Sequence, residues 1–346
     1  MGFKVALFNF YPPCIWAPGG ADVMLAKVKS GLEELGIQVD LFNHWTRTKD
    51  FDILHVFGAT YETARLIESV KRIGKKVVVS TIFDSSKPFF YWWLWRRFDK
   101  LIPIDTTYTM RKKIFDMADI LVAGSKYEAR LLSAYFGIDN HKIRILPWGI
   151  DGKYFENANS QLFTKKYGLE GFILMVSRVL PYKGQVRLIQ AVEGTDLNVV
   201  FVGPLDPTFS EENKEFLNLI KRYEWAHYLG PIGLDDPLLA SAYKAAKVHV
   251  LPSLLEYPGA VTLEAAACGT AVASGKYPVL YEYVGENIYY LNPKSLTSIR
   301  ATVLKAYLEG PKTDLRDYIL KHFTWKRYVV GLIEIYKEVN ANLGAI

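Results

Sequence analysis

The sequence predicts a doubly wound α/β protein of two Rossmann-like domains, and three observations carry that expectation. Short Val/Ile/Leu/Phe-rich runs alternate along the chain with amphipathic helical stretches, the pattern of a mostly parallel sheet wrapped by helices. The alternation is interrupted at Leu146-Pro147-Trp148-Gly149-Ile150-Asp151, where Pro and Gly force a turn, and then restarts. At 346 residues, 50% of them hydrophobic, the chain is long enough for each half to bury its own core.

In the first half, strands are expected at residues 4–8, 39–42, 53–57, 76–81, 120–123 and 143–146. In the second they are expected at 172–176, 198–202, 227–229, 248–251, 270–273 and 288–291. An amphipathic helix over 21–35 closes the turn after the first strand, and Ser125 is placed to cap a helix over 126–136. A long helix opens at Phe323 and runs to Asn340. Ligands of doubly wound sheets bind outside the carboxyl ends of the strands, so each half is expected to turn that edge toward the other across one cleft.

Composition narrows the setting. Residues 3–11 and 14–17 are apolar but far short of the roughly 18 needed to span a bilayer, and the start reads as a first buried strand. Cys14 and Cys268 have no second Cys nearby to form a metal clip or redox pair, which points to a reducing, cytoplasmic compartment. Residues 1–150 carry 21 Lys and Arg against 15 Asp and Glu, a net of +6, whereas 151–346 carry 21 of each. That asymmetry suits an anionic partner of the first half: a phosphorylated acceptor, an anionic lipid surface or nucleic acid.

The chemistry concentrates between Val248 and Thr270, a strand, a loop, a helix and a tight stop. The loop ends at Pro258-Gly259, so the first free amides of the following helix, around Gly259 to Thr262 and including Ala260 and Val261, form an anion site at the strand end. Glu256 stands just before it and Glu264 inside the helix, with seven residues between them. A second element, Ser177-Arg178-Val179-Leu180-Pro181-Tyr182-Lys183-Gly184, follows the first strand of the second half and offers two cations. Gly203 ends the next strand and lets the backbone approach a ligand closely, and Tyr228-Leu229-Gly230-Pro231-Ile232 ends a third.

These residues resemble glycosyltransferase family 4. The two glutamates, with Pro252-Ser253, Gly259, Leu263-Glu264-Ala265 and Cys268-Gly269-Thr270 around them, match its hallmark, and Arg178 and Lys183 match its Gly-Arg and Lys-Gly pair, with Ser177 in place of Gly. The resemblance implies the GT-B arrangement of two facing Rossmann-like domains. Residues 1–150 are then the acceptor-binding domain, 151–324 the nucleotide-sugar-binding domain, and 325–346 a helix returning to the first. It implies that Glu256 faces the donor sugar, that Glu264 holds the ribose hydroxyls, and that Arg178, Lys183 and the amides after Gly259 receive the diphosphate. The other reading of the glutamates, as carboxylates that merely flank a helix, leaves the whole order of residues unexplained. Pro18-Gly19-Gly20 resembles the family's glycine-rich loop, which makes Gly19 and Gly20 donor- or acceptor-facing.

Two departures qualify the resemblance. Many family members have His-Asp after the fourth strand, where this chain reads Thr81-Ile82-Phe83-Asp84, so Phe83 and Asp84 are expected on the acceptor side without an imidazole. His55 is a candidate substitute, although a His inside an apolar strand is more often a hydrogen-bonded core residue. Asp50-Phe51-Asp52 spells the metal-binding Asp-x-Asp of another glycosyltransferase architecture but precedes a strand instead of following one. No protein-held metal and no permanently bound cofactor are expected. A nucleoside-diphosphate sugar enters as co-substrate.

The run from Lys87 to Lys100 is dense in aromatics and cations, which suits either a bilayer headgroup region or packing against the sheet or a second subunit. Nucleic acid is not expected, since no binding motif accompanies the charge. The sequence therefore points to an enzyme, a retaining hexosyltransferase acting from a nucleotide sugar on an acceptor hydroxyl, lipid-linked or on a glycan. Its alternatives are a GT-B protein that binds without transferring and a nucleotide-sugar epimerase. A nicotinamide dehydrogenase is disfavoured by Pro12-Pro13 and Pro18-Gly19-Gly20 where G-x-G-x-x-G spacing is needed.

Overall fold

The computed structural model describes residues 2–10, 19–46, 49–85, 87–98, 106–152, 158–233, 236–312 and 314–341. Pro12, Pro13, Cys14, Pro18 and Lys100, named above, lie outside the described residues. The chain divides into two compact units, Met1–Gly149 with Trp325–Ile346, and Ile150–Thr324.

Among the described residues, the first unit holds a six-stranded sheet of β1 (Lys4–Asn9), β2 (Gln38–Leu41), β3 (Ile53–Phe57), β4 (Lys76–Ser80), β5 (Ile120–Ala123) and β6 (Ile143–Ile145). The order is β2-β1-β3-β4-β5-β6 and every pairing is parallel. Strands β3 and β5 are buried at every residue, as central strands are when helices cover both faces. The helices are α1 (Gly20–Glu34), α2 (Tyr61–Arg72), α3 (Phe89–Phe98), α4 (Thr107–Met117) and α5 (Lys126–Phe136). Ser125 caps α5, its Oγ accepting the Glu128 amide at 3.0 Å. The Asp50-Phe51-Asp52 turn is a structural tie: Asp52 accepts the Lys4 amide at 2.9 Å and Asp50 meets the Lys4 ammonium at 3.1 Å.

The second unit has a second parallel sheet, six-stranded among the described residues: β7 (Ile173–Val176), β8 (Val199–Val202), β9 (Ala226–Tyr228), β10 (Val248–Leu251), β11 (Ala271–Gly275) and β12 (Tyr289–Leu291). Its order is β12-β11-β10-β7-β8-β9. The helices are α6 (Gln161–Tyr167), α7 (Gln185–Val192), α8 (Ser210–Arg222), α9 (Pro237–Ala245), α10 (Ala260–Ala267), α11 (Pro278–Val284), α12 (Leu296–Glu309) and α13 (Leu315–His322). Ile173, Leu188, Phe201, Val250, Ala273 and Val303 form its core. On the opposite face of β10, His249 is fully buried beside Tyr243, with both ring nitrogens lacking a hydrogen-bond partner.

After the second unit the chain returns to the first as α14 (Trp325–Ala341). The helix starts two residues later than its pattern suggests because Thr324 is engaged in a β-bridge: Ile150 pairs in parallel with Thr324 and donates its amide to Phe323 O at 3.0 Å. Within the first unit α14 lies on α1, so close that a Cβ at Gly31 would come within 2.7 Å of Val329 Cγ2. His55 of β3 bonds to Tyr336 Oη through Nδ1 at 2.6 Å and to Ser80 Oγ through Nε2 at 2.9 Å, and Ser80 in turn meets Tyr328 Oη at 3.3 Å. All four are buried. His55 therefore ties α14 to the sheet and does not supply the substitute imidazole considered for the acceptor side.

Candidate nucleotide-sugar site

In the second sheet the chain runs outward in one direction through β7, β8 and β9 and in the other through β10, β11 and β12, so the order reverses between β7 and β10. At such a reversal the loops leaving the two strands diverge to opposite faces and open a crevice beyond the carboxyl ends. Lys183, in the loop after β7, and Glu256, in the loop after β10, meet across this point in a salt bridge. The Lys183 ammonium also lies 5.4 Å from the Tyr182 ring centroid. Glu256 retains 9% side-chain exposure, so the pair is nearly withdrawn from solvent.

The two loops are fastened to each other. Leu254 donates its amide to Tyr182 O at 2.7 Å, and the Arg187 guanidinium bridges Tyr182 O (3.3 Å) and Pro252 O (3.0 Å). Tyr277 Oη donates to Ser253 O, and Ser253 Oγ donates to Leu255 O at 2.8 Å. Burial raises the Tyr277 phenol well above its ordinary range, with the Glu256 charge acting in the same direction, which keeps it a donor.

Beyond Glu256, Gly259 takes φ +79°, a left-handed conformation that an L side chain adopts only with strain, and opens α10. Thr262 turns its amide back to Gly259 O at 2.8 Å, which removes it from the row of amides expected there, while Ala260 and Val261 stay half-buried in the first turn. Thr262 Oγ1 is buried with no hydrogen-bond partner. Glu264 lies one turn further and accepts from Tyr243 Oη of α9 at 3.0 Å.

Arg178 follows β7 and pairs with Asp206, which follows β8, at 3.3 Å. Gln185 Nε2 donates to Ser177 Oγ and Arg178 O, both at 2.9 Å, and so fixes the turn that carries Arg178. Gly203 explains itself by space. Its φ is +142° and a Cβ there would sit 2.0 Å from Ser177 O, so the turns after β7 and β8 can lie against each other only at glycine. Tyr228 Oη donates to Gly203 O at 2.9 Å, and Gly230 O accepts the Gly203 amide at 2.9 Å.

Arg178, Lys183, Gly203, Glu256, Gly259, Ala260, Val261 and Glu264 thus all sit beyond the carboxyl ends of β10, β7 and β8 or in the helix that follows β10. Asp206 and Tyr243, which hold Arg178 and Glu264, were not singled out by sequence. Asp206-Pro207-Thr208 carries the only signal that pointed there, a side-chain-bonded turn. Among the described residues no group of three His, Cys, Asp or Glu is placed to hold a metal ion.

In the first unit, Gly19 caps α1 and Gly20 is its first residue, and Asp22 binds the Gly19 amide (2.8 Å) and Asn9 Nδ2 (2.7 Å). The loop after β4 corrects one expectation. The Phe83 ring is only 2% exposed and points into the core, 5.6 Å from Trp92 and 5.3 Å from Phe136, so it offers no face to an acceptor. The cause is backbone geometry: Ile82 is left-handed (φ +43°), and buried Glu128 accepts both the Phe83 amide at 2.6 Å and the Thr81 hydroxyl at 2.5 Å. Asp84 remains half-buried and accepts from Tyr127 Oη at 3.4 Å, and burial with that charge pushes the Tyr127 phenol up to about 12.

The aromatic run forms α3 and splits by side. Trp92 stacks on Tyr135 at 5.3 Å and 7°, and Arg96 donates to Ala134 O at 3.0 Å, so this side packs on α5. Phe90 (65% exposed) and Trp93 (45%) point outward with Phe89, Leu94 and Phe98. Among the described residues no helix is long and apolar enough to cross a membrane.

Comparison with known proteins supplies context for this geometry. Residues 159–319 match the family described as Glycosyl transferases group 1. The chain is 31% identical over 252 residues to the D-inositol 3-phosphate glycosyltransferase of Geodermatophilus obscurus, an alignment covering 66% of this chain and 54% of that protein. The chain spans about half the length of the curated relatives it matches first. Its fold is that of the GT-B glycosyltransferases. The sucrose-phosphate synthase of Thermosynechococcus elongatus superposes with a TM-score of 0.78 at 16% identity, covering 98% of this chain and 100% of that one. Anabaena Alr3699/HepE, solved in complex with UDP and glucose, does so with 0.73 at 16% identity, covering 97% and 100%.

Proposed function

With residues 159–319 belonging to the glycosyl transferases group 1 family, we propose that this chain moves a hexosyl group from a nucleoside-diphosphate sugar to an acceptor hydroxyl, with retention at the anomeric carbon. The observation that carries the proposal is the meeting of Lys183 and Glu256 at the strand-order reversal, with Arg178 on the same loop as Lys183. In this reading the base and ribose lie along α10, Glu264 accepts hydrogen bonds from the ribose, and Glu256 accepts from the sugar hydroxyls. Arg178, Lys183 and the amides of Gly259, Ala260 and Val261 take the diphosphate.

The bond from the anomeric carbon to the phosphate oxygen breaks with its electron pair going to the diphosphate, and the two cations offset that charge as it develops. The acceptor oxygen bonds to the same carbon from the same face. Its proton passes to the departing phosphate oxygen, so no side-chain nucleophile is required. Lys183 is held by Glu256, and donor binding redistributes that pairing between the diphosphate and the sugar. Replacing Glu264 with Ala is expected to weaken binding of the preferred nucleoside diphosphate by roughly tenfold, as the loss of a charged hydrogen bond does. Isothermal calorimetry with UDP, GDP and ADP measures this, and undiminished affinity in the variant removes the reading.

A second reading, a protein that binds the nucleotide sugar without transferring it, is favoured by the burial of Phe83 where the family resemblance implies an imidazole. Release of nucleoside diphosphate from a bound nucleotide sugar by the purified protein excludes it.

The acceptor we assign to the first unit, around Gly19, Gly20 and Asp84, is lipid-linked, on the cytoplasmic face of an anionic membrane. The exposed rings of α3 with Lys87 and Arg97, in the half of the chain with all the basic excess, support this. Vesicles containing anionic phospholipid should sediment the wild type and lose most of the Phe90→Ser, Trp93→Ser variant. Equal recovery of both in the pellet, or of neither, counts against a lipid-facing α3.

A further inference from the structure

Arg178 carries a long side chain at the end of β7, and an untethered arginine gives up rotamer freedom when it closes on an anion. Asp206 removes part of that freedom beforehand. Its Oδ2 faces Arg178 Nη1 at 3.3 Å. Its Oδ1 is already held by the Thr208 amide at 3.0 Å and the Thr208 hydroxyl at 2.6 Å. Asp206 O accepts from Asn213 Nδ2 of α8 at 2.7 Å, which anchors the turn at its other end. The turn is also in register with the one that bears Arg178: Ser177 donates to Val202 O and Val179 to Pro204 O, both at 2.9 Å, and Val179 pairs with Leu205 in parallel. Gly203 closes the remaining gap.

We infer that Asp206 is a positioning residue, which fixes the Arg178 guanidinium at the strand end in the orientation a diphosphate needs. Asp206 does not touch the nucleotide. Its carboxyl is held below the usual carboxylate range, first by the Thr208 hydroxyl and then by Arg178, so the anchor is ionised at neutral pH. This rests on the nucleotide-site reading above.

The sign of one measurement separates positioning from simple charge. Removing a carboxylate near a bound anion should, on charge alone, tighten binding. Asp206→Asn retains an acceptor for Thr208 and loses the pairing with Arg178. We expect it to weaken binding of the preferred nucleoside diphosphate, among UDP, GDP and ADP, by about threefold to tenfold. The double variant Arg178→Ala, Asp206→Asn is expected to bind as Arg178→Ala does, because the effect runs through the guanidinium. Unchanged or tighter binding by Asp206→Asn overturns the assignment, and so does a further loss on adding it to Arg178→Ala, which a merely structural role would produce. If the wild type binds none of the three, or Arg178→Ala binds as well as wild type, the nucleotide-site reading itself fails.

Discussion

Replacing Lys183 with Ala should reduce release of nucleoside diphosphate from the bound nucleotide sugar by about 10²–10³-fold, the range found when a preorganised group facing developing charge is removed. Two effects combine. The variant lacks the ammonium that meets the leaving diphosphate, and it leaves Glu256, with 9% side-chain exposure, facing the same site without its counter-ion. The first acts in the transition state and lowers kcat. The second opposes an anionic ligand already in the ground state and raises KM. Both parameters should therefore move, kcat by more. Pairing the change with Glu256→Gln restores charge balance and should recover the KM component without recovering kcat. Turnover by Lys183→Ala within about threefold of wild type would exclude Lys183 from the reaction.

Acidification should destabilise both units through one histidine in each. Burial lowers the pKa of His55 and of His249 from 6.5 to about 3. In the unfolded chain each binds a proton near 6.5, whereas in the folded chain each stays neutral until about pH 3, so the unfolded state holds more protons throughout that interval. Stability is complete above pH 6.5 and declines as pH falls, by about 1.4 kcal/mol per pH unit for each histidine, or roughly 2–3 kcal/mol per unit of the protein by pH 4.5. Replacing His249 with Val suits a strand already flanked by Val248 and Val250 and removes two unsatisfied nitrogens. Denaturant unfolding between pH 7.5 and 4.5 should then show a flatter pH dependence for the second unit. Identical slopes in variant and wild type would place the acid sensitivity elsewhere.

The strands were readable from sequence because parallel strands covered on both faces appear as largely apolar runs, as β5 and β7 do throughout and β3 and β10 do apart from His55 and His249. Lys183 and Glu256 were readable as chemistry because loops after neighbouring strands share one edge. Side-chain direction was not. Phe83 occupies the spacing of a substrate-facing residue, yet a left-handed Ile82 and the Glu128 carboxylate turn its ring inward, and no local pattern encodes that tertiary choice. The α3 helix was similarly opaque: eight of its ten residues are aromatic or Leu without helical periodicity, and only packing on α5 separates Trp92 from Phe90 and Trp93. Asp206 and Tyr243 act through partners 28 and 21 positions away, beyond the reach of spacing rules.

The return of α14 has a consequence for how the protein is made. The first sheet relies on Tyr328, Leu332 and Tyr336 for cover and on the His55 hydrogen bond for its buried polar group, and all of these follow residue 324. Residues 150–324 are contiguous, so a ribosome delivers the later unit whole while the earlier one still waits for its closing helix.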